Sequence, residues 1–396
     1  MPKSEVRTGA LSAAAYAGMF VFGIVMALLG AILPALAGKL AFTAPDIGTL
    51  FFVMNGAMLA ASLVLGLAMD RFGMKPPLAL GCLLVAGALV LVVKAEAFAA
   101  LIPAVVLLGI GGGALNGAAN TLVADLHEDP RRKSSALNLL GVFFGFGALC
   151  LPFAIGALLA QFSVSMLLDA GAGLCAASAA LAFALRFPAP KQRHALPLAE
   201  IPRFLRSPLV LAFAFLLFFE SGVEFTLGGF ISTYVTRDLG VSSVALASWI
   251  LASYWASIMA SRAVLSRIAL AADPYRTLLV CAAGAAGGAV LAAAAPGPGV
   301  AAFAVVICGA SLAGVYPTAL AIVGDRFPSH SGTVFGILFA IALAGGMILP
   351  WVSGQLGGAV GLRSVFVLIA GSFAAIAGLS RLARHFESSD RGATAA

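Results

Sequence analysis

Residues 46–96 read DIGTLFFVMNGAMLAASLVLGLAMDRFGMKPPLALGCLLVAGALVLVVKAE. The stretch contains two largely apolar runs, over 46–69 and 77–96, on either side of the short charged turn DRFGMK. An apolar helix of about 20 residues spans the ~30 Å hydrocarbon core of a bilayer. The stretch therefore predicts two membrane-spanning helices that are joined by a charged turn at one face of the membrane.

The rest of the chain repeats this pattern. Its 396 residues are 62% apolar and only 10% charged, whereas soluble globular domains are about 45–50% apolar and about 25% charged. This composition excludes a soluble globular protein and predicts an all-α membrane protein with twelve transmembrane helices. The predicted segments, numbered 1 to 12, are 10–37, 46–69, 77–96, 98–125, 134–159, 165–187, 208–235, 245–268, 276–296, 299–323, 332–356 and 361–383.

The Lys and Arg residues are distributed unevenly over the loops between these segments. Twelve segments place 19 of the 23 on one side of the membrane and leave Lys39, Lys94, Arg237 and Arg363 on the other. Basic residues near helix ends stay on the cytoplasmic side, so we expect both termini in the cytoplasm and the chain in a bacterial inner (plasma) membrane. The net charge of +7 is then a topology signal. We expect a monomer whose partners are the lipid bilayer and a small-molecule substrate, with no nucleic acid.

One long polar interruption divides the predicted segments into six and six. It covers 187–208 and reads FPAPKQRHALPLAEIPRFLRSP, with several prolines and basic residues. The sequence therefore predicts an N-terminal six-helix bundle over 1–187, a cytoplasmic linker over 188–207 and a C-terminal six-helix bundle over 208–396.

The two halves also correspond to each other at an offset of 198 residues, half of the 396-residue length. Glycines and prolines at equivalent places in segments 5 and 11 carry this correspondence: Gly147, Pro152 and Gly156 against Gly345, Pro350 and Gly354. Parallel halves imply a pseudo-two-fold axis along the membrane normal, with a binding site between the halves at mid-depth. We therefore expect two pseudo-symmetric bundles.

The chain shows no pattern typical of a metal centre or an enzyme active site. Its five cysteines lie in predicted segments without Cys-x-x-Cys spacing, so we interpret them as packing residues. Its four histidines lie in loops or in the tail, so no metal or cofactor is predicted. The glycine-rich stretch 109–114 lacks the strand that precedes a dinucleotide-binding loop, and instead predicts close helix packing. A receptor without transport is disfavoured because the chain has almost no extramembrane domain.

The turn between segments 2 and 3 carries the first family resemblance. Residues 66–75 read GLAMDRFGMK and resemble the signature loop of the major facilitator superfamily, G-x-x-x-D-R-x-G-x-K. The resemblance covers the whole chain and implies the major facilitator fold with alternating access. It also implies that the matching residues latch the cytoplasmic gate: Gly66, Asp70, Arg71, Gly73 and Lys75.

Segment 7 carries acidic residues deep in the predicted membrane. Glu220 lies about 18 Å along the helix from Pro208 at 1.5 Å per residue, and Glu224 lies one turn further on the same face. Two such carboxylates do not both ionise readily in a low dielectric. We expect them to load and release a proton, or to hold Na⁺ if both ionise, and we include both among the candidate substrate contacts. The alternative is a neutral, hydrogen-bonded structural role.

Amides and aromatic rings suit a hydroxylated solute, because amides offer donors and acceptors without charge and rings cover a sugar face. The candidate substrate contacts are Asn116 and Asn120 in segment 4, Asn138 in segment 5, Tyr254 and Trp255 in segment 8, and Tyr316 in segment 10. Each has a structural alternative. An amide also serves as an interhelical hydrogen bond, and an aromatic ring also serves in packing or as an interfacial anchor.

A closer resemblance concerns the fucose permease branch of the superfamily, which includes sodium-dependent glucose transporters. The stretch LNGAAN at 115–120 resembles the L-E/D-T-A-A-N stretch of that branch. Gly222-Val-Glu224 and Ser261-Arg262 are similar to its helices 7 and 8. Since Arg262 lies near the inner end of segment 8, the resemblance implies that it helps the cytoplasmic gate.

Two positions depart from that branch. Asn116 stands where the branch has an acid in helix 4, and Gly30 stands where an acid is expected before the proline of helix 1. Ion coupling is therefore expected to rest on Glu220 and Glu224. If these two acids are structural, the chain is a uniporter.

Two functions remain open from the sequence. The first is a proton- or sodium-coupled symporter of a small polar solute, in particular a monosaccharide. The second is a proton-coupled efflux antiporter for lipophilic or amphipathic compounds, which the low polar content of most segments favours. An antiporter of this superfamily typically has a Gly-Pro pair in helix 5, where this chain has Leu151-Pro152.

Overall fold

A computed structural model of the chain describes residues 3–127, 129–188, 201–268 and 273–395. Every regular element within these residues is a helix, and twelve helical spans among them are long and apolar enough to cross a membrane. The prediction of an all-α, multi-pass membrane protein is confirmed.

We number the spanning helices α1 to α12. The first six are α1 (Lys3–Leu36), α2 (Ala44–Phe72), α3 (Lys75–Lys94), α4 (Leu101–Leu126), α5 (Pro130–Leu158) and α6 (Val164–Ala184). The other six are α7 (Pro208–Arg237), α8 (Val244–Ile268), α9 (Pro274–Ala293), α10a and α10b (Pro298–Leu312 and Val315–Arg326), α11 (Ser331–Val360) and α12 (Arg363–Ala395). Single helical turns cover Phe98–Ala100, Ile201–Leu205 and Pro328–His330.

The tenth span differs from the continuous helix that its apolar run predicts. It is interrupted between Leu312 and Val315, which separates α10a from α10b. Pro317 follows closely, and a proline has no N–H for the helical hydrogen bond while its ring conflicts with the carbonyl four residues earlier, here that of Ala313. The interruption therefore has a local cause.

Contacts between Cα atoms divide the chain into two compact units. Unit 1 comprises Met1–Phe42, Val53–Arg193 and Ser242–Ala252, and unit 2 comprises Thr43–Phe52, His194–Val241 and Ser253–Ala396. The domain boundaries placed at 187 and 208 stay a prediction. Most of the linker predicted over 188–207 lies outside the described residues.

The first turns of α2 belong to unit 2 because they pack closely on α11. A Cβ atom built on Gly48 would lie 2.8 Å from the carbonyl oxygen of Pro350, and one on Gly354 would lie 2.6 Å from that of Ala44. These glycines let the two backbones touch.

The offset of 198 residues reappears as an identical helix contact inside each unit. A Cβ atom on Gly147 in α5 would collide with the carbonyl oxygen of Phe20 in α1, and a Cβ atom on Gly345 in α11 would collide with that of Phe218 in α7. Phe20 and Phe218 are themselves separated by the same offset. The repeat is therefore a repeat of backbone-to-backbone packing, which only glycine permits at these two positions.

Candidate functional site

Helix α7 forms the buried core of unit 2 and carries the predicted acids. Ser207 caps its first turn, where the side-chain oxygen accepts a hydrogen bond from the Val210 N–H at 3.5 Å, and Pro208 fills the first helical position. The helix is apolar on all sides and almost entirely buried, as expected for a helix surrounded by others. It runs without a break past Glu220 and Glu224.

Glu220 is sealed inside the unit. The residue is only 2% exposed, and its Oε2 atom has no hydrogen-bond partner among the described residues. An ionised carboxylate without compensating donors is very unfavourable in such surroundings. We therefore treat Glu220 as the neutral acid in this structure.

Glu224 has a different neighbour, which is Arg262 of α8. The Nη2 atom of Arg262 lies 4.0 Å from Oε1 of Glu224, and the side chains are 32% and 13% exposed, respectively. A direct charge-assisted hydrogen bond would be about 2.7–2.9 Å long, so this is a loose ion pair. The guanidinium of Arg262 therefore lies beside Glu224. The gating role predicted for Arg262 stays a prediction.

Two tyrosines lie close enough to Glu220, Glu224 and Arg262 to interact with their charges: Tyr254 of α8 and Tyr316 of α10b. The Tyr254 side chain is fully buried, and within the part of the chain that the structure describes its hydroxyl has no hydrogen-bond partner. We call Glu220, Glu224, Arg262 and the Tyr254 hydroxyl the charge cluster. All four belong to unit 2.

Two of the aromatic residues predicted to contact a substrate make packing contacts inside unit 2. Trp255 is buried, and a Cβ atom on Gly228 of α7 would lie 3.2 Å from its ring. Tyr316 stacks on Phe339 with ring centroids 6.2 Å apart. Substrate contact by Tyr254, Trp255 or Tyr316 stays a prediction.

The predicted amides lie in unit 1. The Nδ2 atom of Asn120 donates to both Oδ1 and the backbone oxygen of Asn116, each at 2.9 Å. The structure thus brings these two side chains together as a hydrogen-bonded pair along α4. Asn138 is an exposed side chain on α5. Whether any of the three binds a substrate stays a prediction.

The signature turn is only partly described. Gly73 adopts a positive φ of 77°, which favours glycine, and Arg71 lies over the ring of Phe72 at 5.3 Å. The surroundings of Gly66 and the side chain of Asp70 lie outside the described part of the chain. The gating role of the turn stays a prediction.

Lys75 makes a contact that the sequence analysis missed. Its Nζ atom donates to the backbone oxygens of Phe183 at 2.7 Å and Leu185 at 3.0 Å, and so ties the start of α3 to the end of α6. The positive charge satisfies carbonyls that the last turn of a helix leaves unpaired. The presence of a lysine at position 75 does not by itself indicate that its partners are the carbonyls at the end of α6.

Unit 1 also contains a cleft of about 550 Å³ at the ends of α1, α4 and α5. Its polar lining residues are Thr8, Ser12, Tyr16, His127, Arg132 and Ser135. The sequence analysis missed these residues, although the three hydroxyls of α1 recur at four-residue spacing and therefore lie on one helix face. Within the described residues, no group of three or more His, Cys, Asp or Glu side chains is arranged to hold a metal ion.

Comparison with known proteins identifies the family of this scaffold. The family model described as Major Facilitator Superfamily matches residues 15–309 and 213–395. Two proteins of Mycobacterium tuberculosis, both described as uncharacterised MFS-type transporters, are 33% identical to this chain over 137 residues, which is 34% of this chain. The match spans only about a third of these relatives, 32% of their length.

Solved structures share the fold over nearly the whole chain. The nucleoside transporter NupG (a mutant) has a TM-score of 0.77 at 16% identity, covering 94% of this chain and 99% of its own. A bacterial homologue of the human lysosomal transporter Spinster has a TM-score of 0.75 at 16% identity, covering 98% of both chains. The fucose:proton symporter FucP of E. coli has a TM-score of 0.64 at 18% identity, covering 94% and 98%. At such identities the likeness concerns the fold alone.

Proposed function

The chain belongs to the Major Facilitator Superfamily of secondary transporters, and from this premise we propose that it moves a small polar solute of the monosaccharide class in symport with protons. The solute crosses the cytoplasmic membrane of a bacterium by alternating access. Both termini of the chain lie in the cytoplasm. Glu224 carries the proton, and Glu220 supports it.

The observation that supports proton coupling is the charge cluster. A membrane-embedded ionisable residue is costly and is in general retained for a function. Here Glu220 is sealed and Glu224 is loosely paired with Arg262 at 4.0 Å. Protonation of Glu224 removes this pairing and changes the charge of the cluster, so proton binding and the arrangement of α7 and α8 depend on each other.

The same geometry favours a proton over Na⁺ as the coupling ion. A sodium ion beside Glu224 would lie close to the Arg262 guanidinium, and two positive charges in a low dielectric repel each other strongly. A proton adds to a carboxylate oxygen without this cost. No resident cofactor is required by this mechanism.

The choice of a hydroxylated solute rests on the amides of α4 and α5 and on the resemblance to the fucose permease branch. One observation favours the efflux antiporter instead. Because Asn120 already donates to Oδ1 of Asn116, part of the hydrogen-bonding capacity of this pair is used without a solute. An antiporter for lipophilic compounds would tolerate Asn116→Ala and Asn120→Ala, whereas a monosaccharide symporter would lose affinity.

Thermal unfolding of the purified protein with a panel of monosaccharides and sugar acids, at two pH values and with or without Na⁺, tests the proposal. A ligand that binds only the folded state stabilises it by RT ln(1 + [L]/Kd), about 2.7 kcal/mol at a hundredfold excess over Kd. We expect stabilisation that depends on pH, not on Na⁺, and that loses its pH dependence in Glu224→Gln. Stabilisation by lipophilic cations alone would contradict the monosaccharide symporter and favour the antiporter.

A further inference from the structure

We propose that a cleft between the ends of α9 and α12 binds the headgroup of an anionic phospholipid. The cleft has a volume of about 450 Å³, and its lining includes Tyr275 of α9 and Arg381, Arg384 and His385 of α12. We call it the α9–α12 cleft. All of its lining residues belong to unit 2, and none belongs to the charge cluster. The inference therefore concerns a second site, which depends neither on the solute nor on proton coupling.

The α9–α12 cleft lies where two lipid-facing spans end. The spans are Pro274–Ala293 and Arg363–Ser388, and with 39% of the apolar window of each buried they are less buried than those of α7, α8, α10 and α11. Side chains such as Val280 and Val367 are exposed on them and match the apolar lipid tails. The span of α12 has 26 residues, about 39 Å at 1.5 Å per residue, and is longer than the ~30 Å hydrocarbon core. Its last turns therefore reach the lipid headgroups.

The basic side chains of the cleft suit an anionic headgroup. Arg381 is exposed and makes no hydrogen bond or ion pair with any residue that the structure describes. Arg384 is 58% exposed and donates from Nη2 to Asp273 at 3.1 Å, and a guanidinium has five N–H donors in all. No acid occurs among the described residues that line the cleft. The planar donors of arginine match a phosphate group in bidentate fashion.

Contacts around the cleft hold its walls in place without a ligand. The hydroxyl of Tyr275 donates to Oε2 of Glu387 at 2.7 Å, which ties α9 to α12. Arg384 lies 6.0 Å from the centroid of the Tyr275 ring and is joined to Asp273. The two nearby acids are thus engaged with Tyr275 and Arg384. A site that is formed before binding loses less freedom when the ligand binds.

The first half of the chain shows that the fold does not require these basic residues. At the offset of 198 residues, Arg381 corresponds to Phe183. His385 likewise corresponds to Phe187. Basic residues at the cytoplasmic ends of helices also set topology, but that role needs no cavity between two helices. Basic pockets between spanning helices on the cytoplasmic side bind anionic lipid headgroups, and in the proposed topology the α9–α12 cleft lies on this side.

Titration of the purified full-length protein with two matched lipids tests this inference. Dioleoylphosphatidylglycerol and dioleoylphosphatidylcholine have the same acyl chains and a phosphate each, but only the first carries a net negative charge. Thermal unfolding in an uncharged detergent gives the affinity for each lipid. We expect the glycerol lipid to bind about tenfold more tightly or more, since one basic residue near an anionic membrane surface contributes about fivefold.

Variants of single arginines assign the preference to the cleft. Arg381→Gln should weaken binding of the glycerol lipid by about fivefold and leave the choline lipid unchanged. Because Arg381 has no bond to lose among the described residues, we expect the variant to fold. Arg381→Lys keeps the charge and should restore most of the affinity. The matched control is Arg276→Gln, which removes the same charge from the same end of α9 outside the cleft lining and should keep the lipid preference.

Three outcomes would overturn the inference. The first is equal affinity for the two lipids. The second is an equal loss of affinity in Arg276→Gln and Arg381→Gln, because the preference would then belong to the whole basic surface. The third is equal stabilisation by glycerol 3-phosphate, which supplies the headgroup without acyl chains and would identify a soluble phosphate as the ligand. None of these outcomes involves the charge cluster, so the proposed function is tested separately.

Discussion

Helices α1 and α7 are equivalent in the repeat, since each packs through a phenylalanine carbonyl against a glycine of the helix four spans later. Their chemistry is nevertheless different. At the positions of Glu220 and Glu224 in α7, helix α1 carries Phe22 and Met26. Phe22 and Met26 are buried hydrophobic residues of unit 1.

The difference extends to the neighbouring helices. Arg262 of α8 corresponds to Val64 of α2, which is an exposed apolar side chain. Each charged member of the charge cluster thus has an apolar equivalent in the first half. The comparison teaches that the scaffold repeats because backbone packing requires it, whereas the charges that we propose for proton coupling occur in one half only. Charges in both halves would double the cost of burying ionisable groups.

The largest expected effect is the loss of proton-driven accumulation in Glu224→Gln. With no membrane potential applied, a symporter that takes one proton with each solute molecule converts a gradient of one pH unit, about 1.36 kcal/mol, into about tenfold accumulation. Without the titrating group we expect no accumulation above equilibrium, while exchange of solute continues. Uptake of a labelled monosaccharide that stabilises the purified protein, measured in proteoliposomes, tests this.

The matched control for that variant is Met26→Leu, at the equivalent position of the first half. A swap of similar volume in a core costs less than about 1.5 kcal/mol, and we expect accumulation to be retained. If Met26→Leu also abolished coupling, the functional asymmetry between α1 and α7 would be refuted.

The second-largest effect is expected at the close glycine contacts that the two halves share. Gly147→Ala and Gly345→Ala each place a methyl group against a backbone oxygen, of Phe20 and Phe218 respectively, which cannot move away as a side chain would. Overpacking of this kind costs about 1–3 kcal/mol. We expect both variants to unfold at clearly lower temperature than the wild type, and by similar amounts.

The chain offers a control pair at the same offset. At Gly173 in α6 and Gly371 in α12, no atom of the described residues lies within 4 Å of an added Cβ atom. Because alanine is favoured over glycine in a helix by about 0.8–1 kcal/mol, Gly173→Ala and Gly371→Ala should be neutral or slightly stabilising. Equal destabilisation in all four variants would show that the two tight contacts are not special.

The apolar runs and the glycine repeat predicted the twelve spans, because a bilayer imposes a length on each helix and leaves few other choices. Counting residues also placed Glu220 in the buried part of α7. The pairing of Glu224 with Arg262 was not predictable. It depends on how α8 is rotated about its axis, and helices that are apolar on most sides carry no periodic signal for that rotation.

Other features were missed for related reasons. The interruption before Pro317 has a local cause, but prolines also occur inside the continuous helices α1, α5 and α11. A proline alone therefore does not determine whether a spanning helix is interrupted. The bond from Lys75 to the end of α6 joins positions more than 100 residues apart. It depends on tertiary placement, which composition and charge do not specify.

A smaller effect is expected where α3 meets α6. Lys75→Met removes the donor to the Phe183 and Leu185 carbonyls, and we expect the free energy of unfolding to fall by about 1 kcal/mol, since exposure to solvent reduces the contribution of the charge. Lys94→Met, at the other end of α3, is the control and should have a smaller effect. Chemical or thermal unfolding of both variants measures the two effects, and equal effects would contradict the prediction.

The smallest effect lies at the equivalent joint of the second half, where Asp273 replaces Lys75 at the offset of 198. Its carboxylate caps α9 by accepting the Arg276 N–H at 3.0 Å, and it pairs with Arg384 of α12 at 3.1 Å. The backbone hydrogen bond from Arg276, followed by the Arg384 charge, lowers the pKa of Asp273 below its usual value. A negative charge thus joins α9 to α12, whereas a positive charge joins α3 to α6 in the first half.

A lowered pKa gives this joint a defined pH dependence. The stabilisation by Asp273 is fully present above the unfolded-state pKa, about 3.9, and is lost as the pH falls through the lower pKa of the folded state. Asp273→Asn keeps a good helix cap but removes the pair with Arg384. We therefore expect the variant to unfold at a slightly lower temperature than the wild type near neutrality, with a difference that shrinks as the pH falls below about 4. A difference that stays constant over the whole pH range would show that the Arg384 pair contributes nothing, and that the capping bond alone holds α9 at this joint.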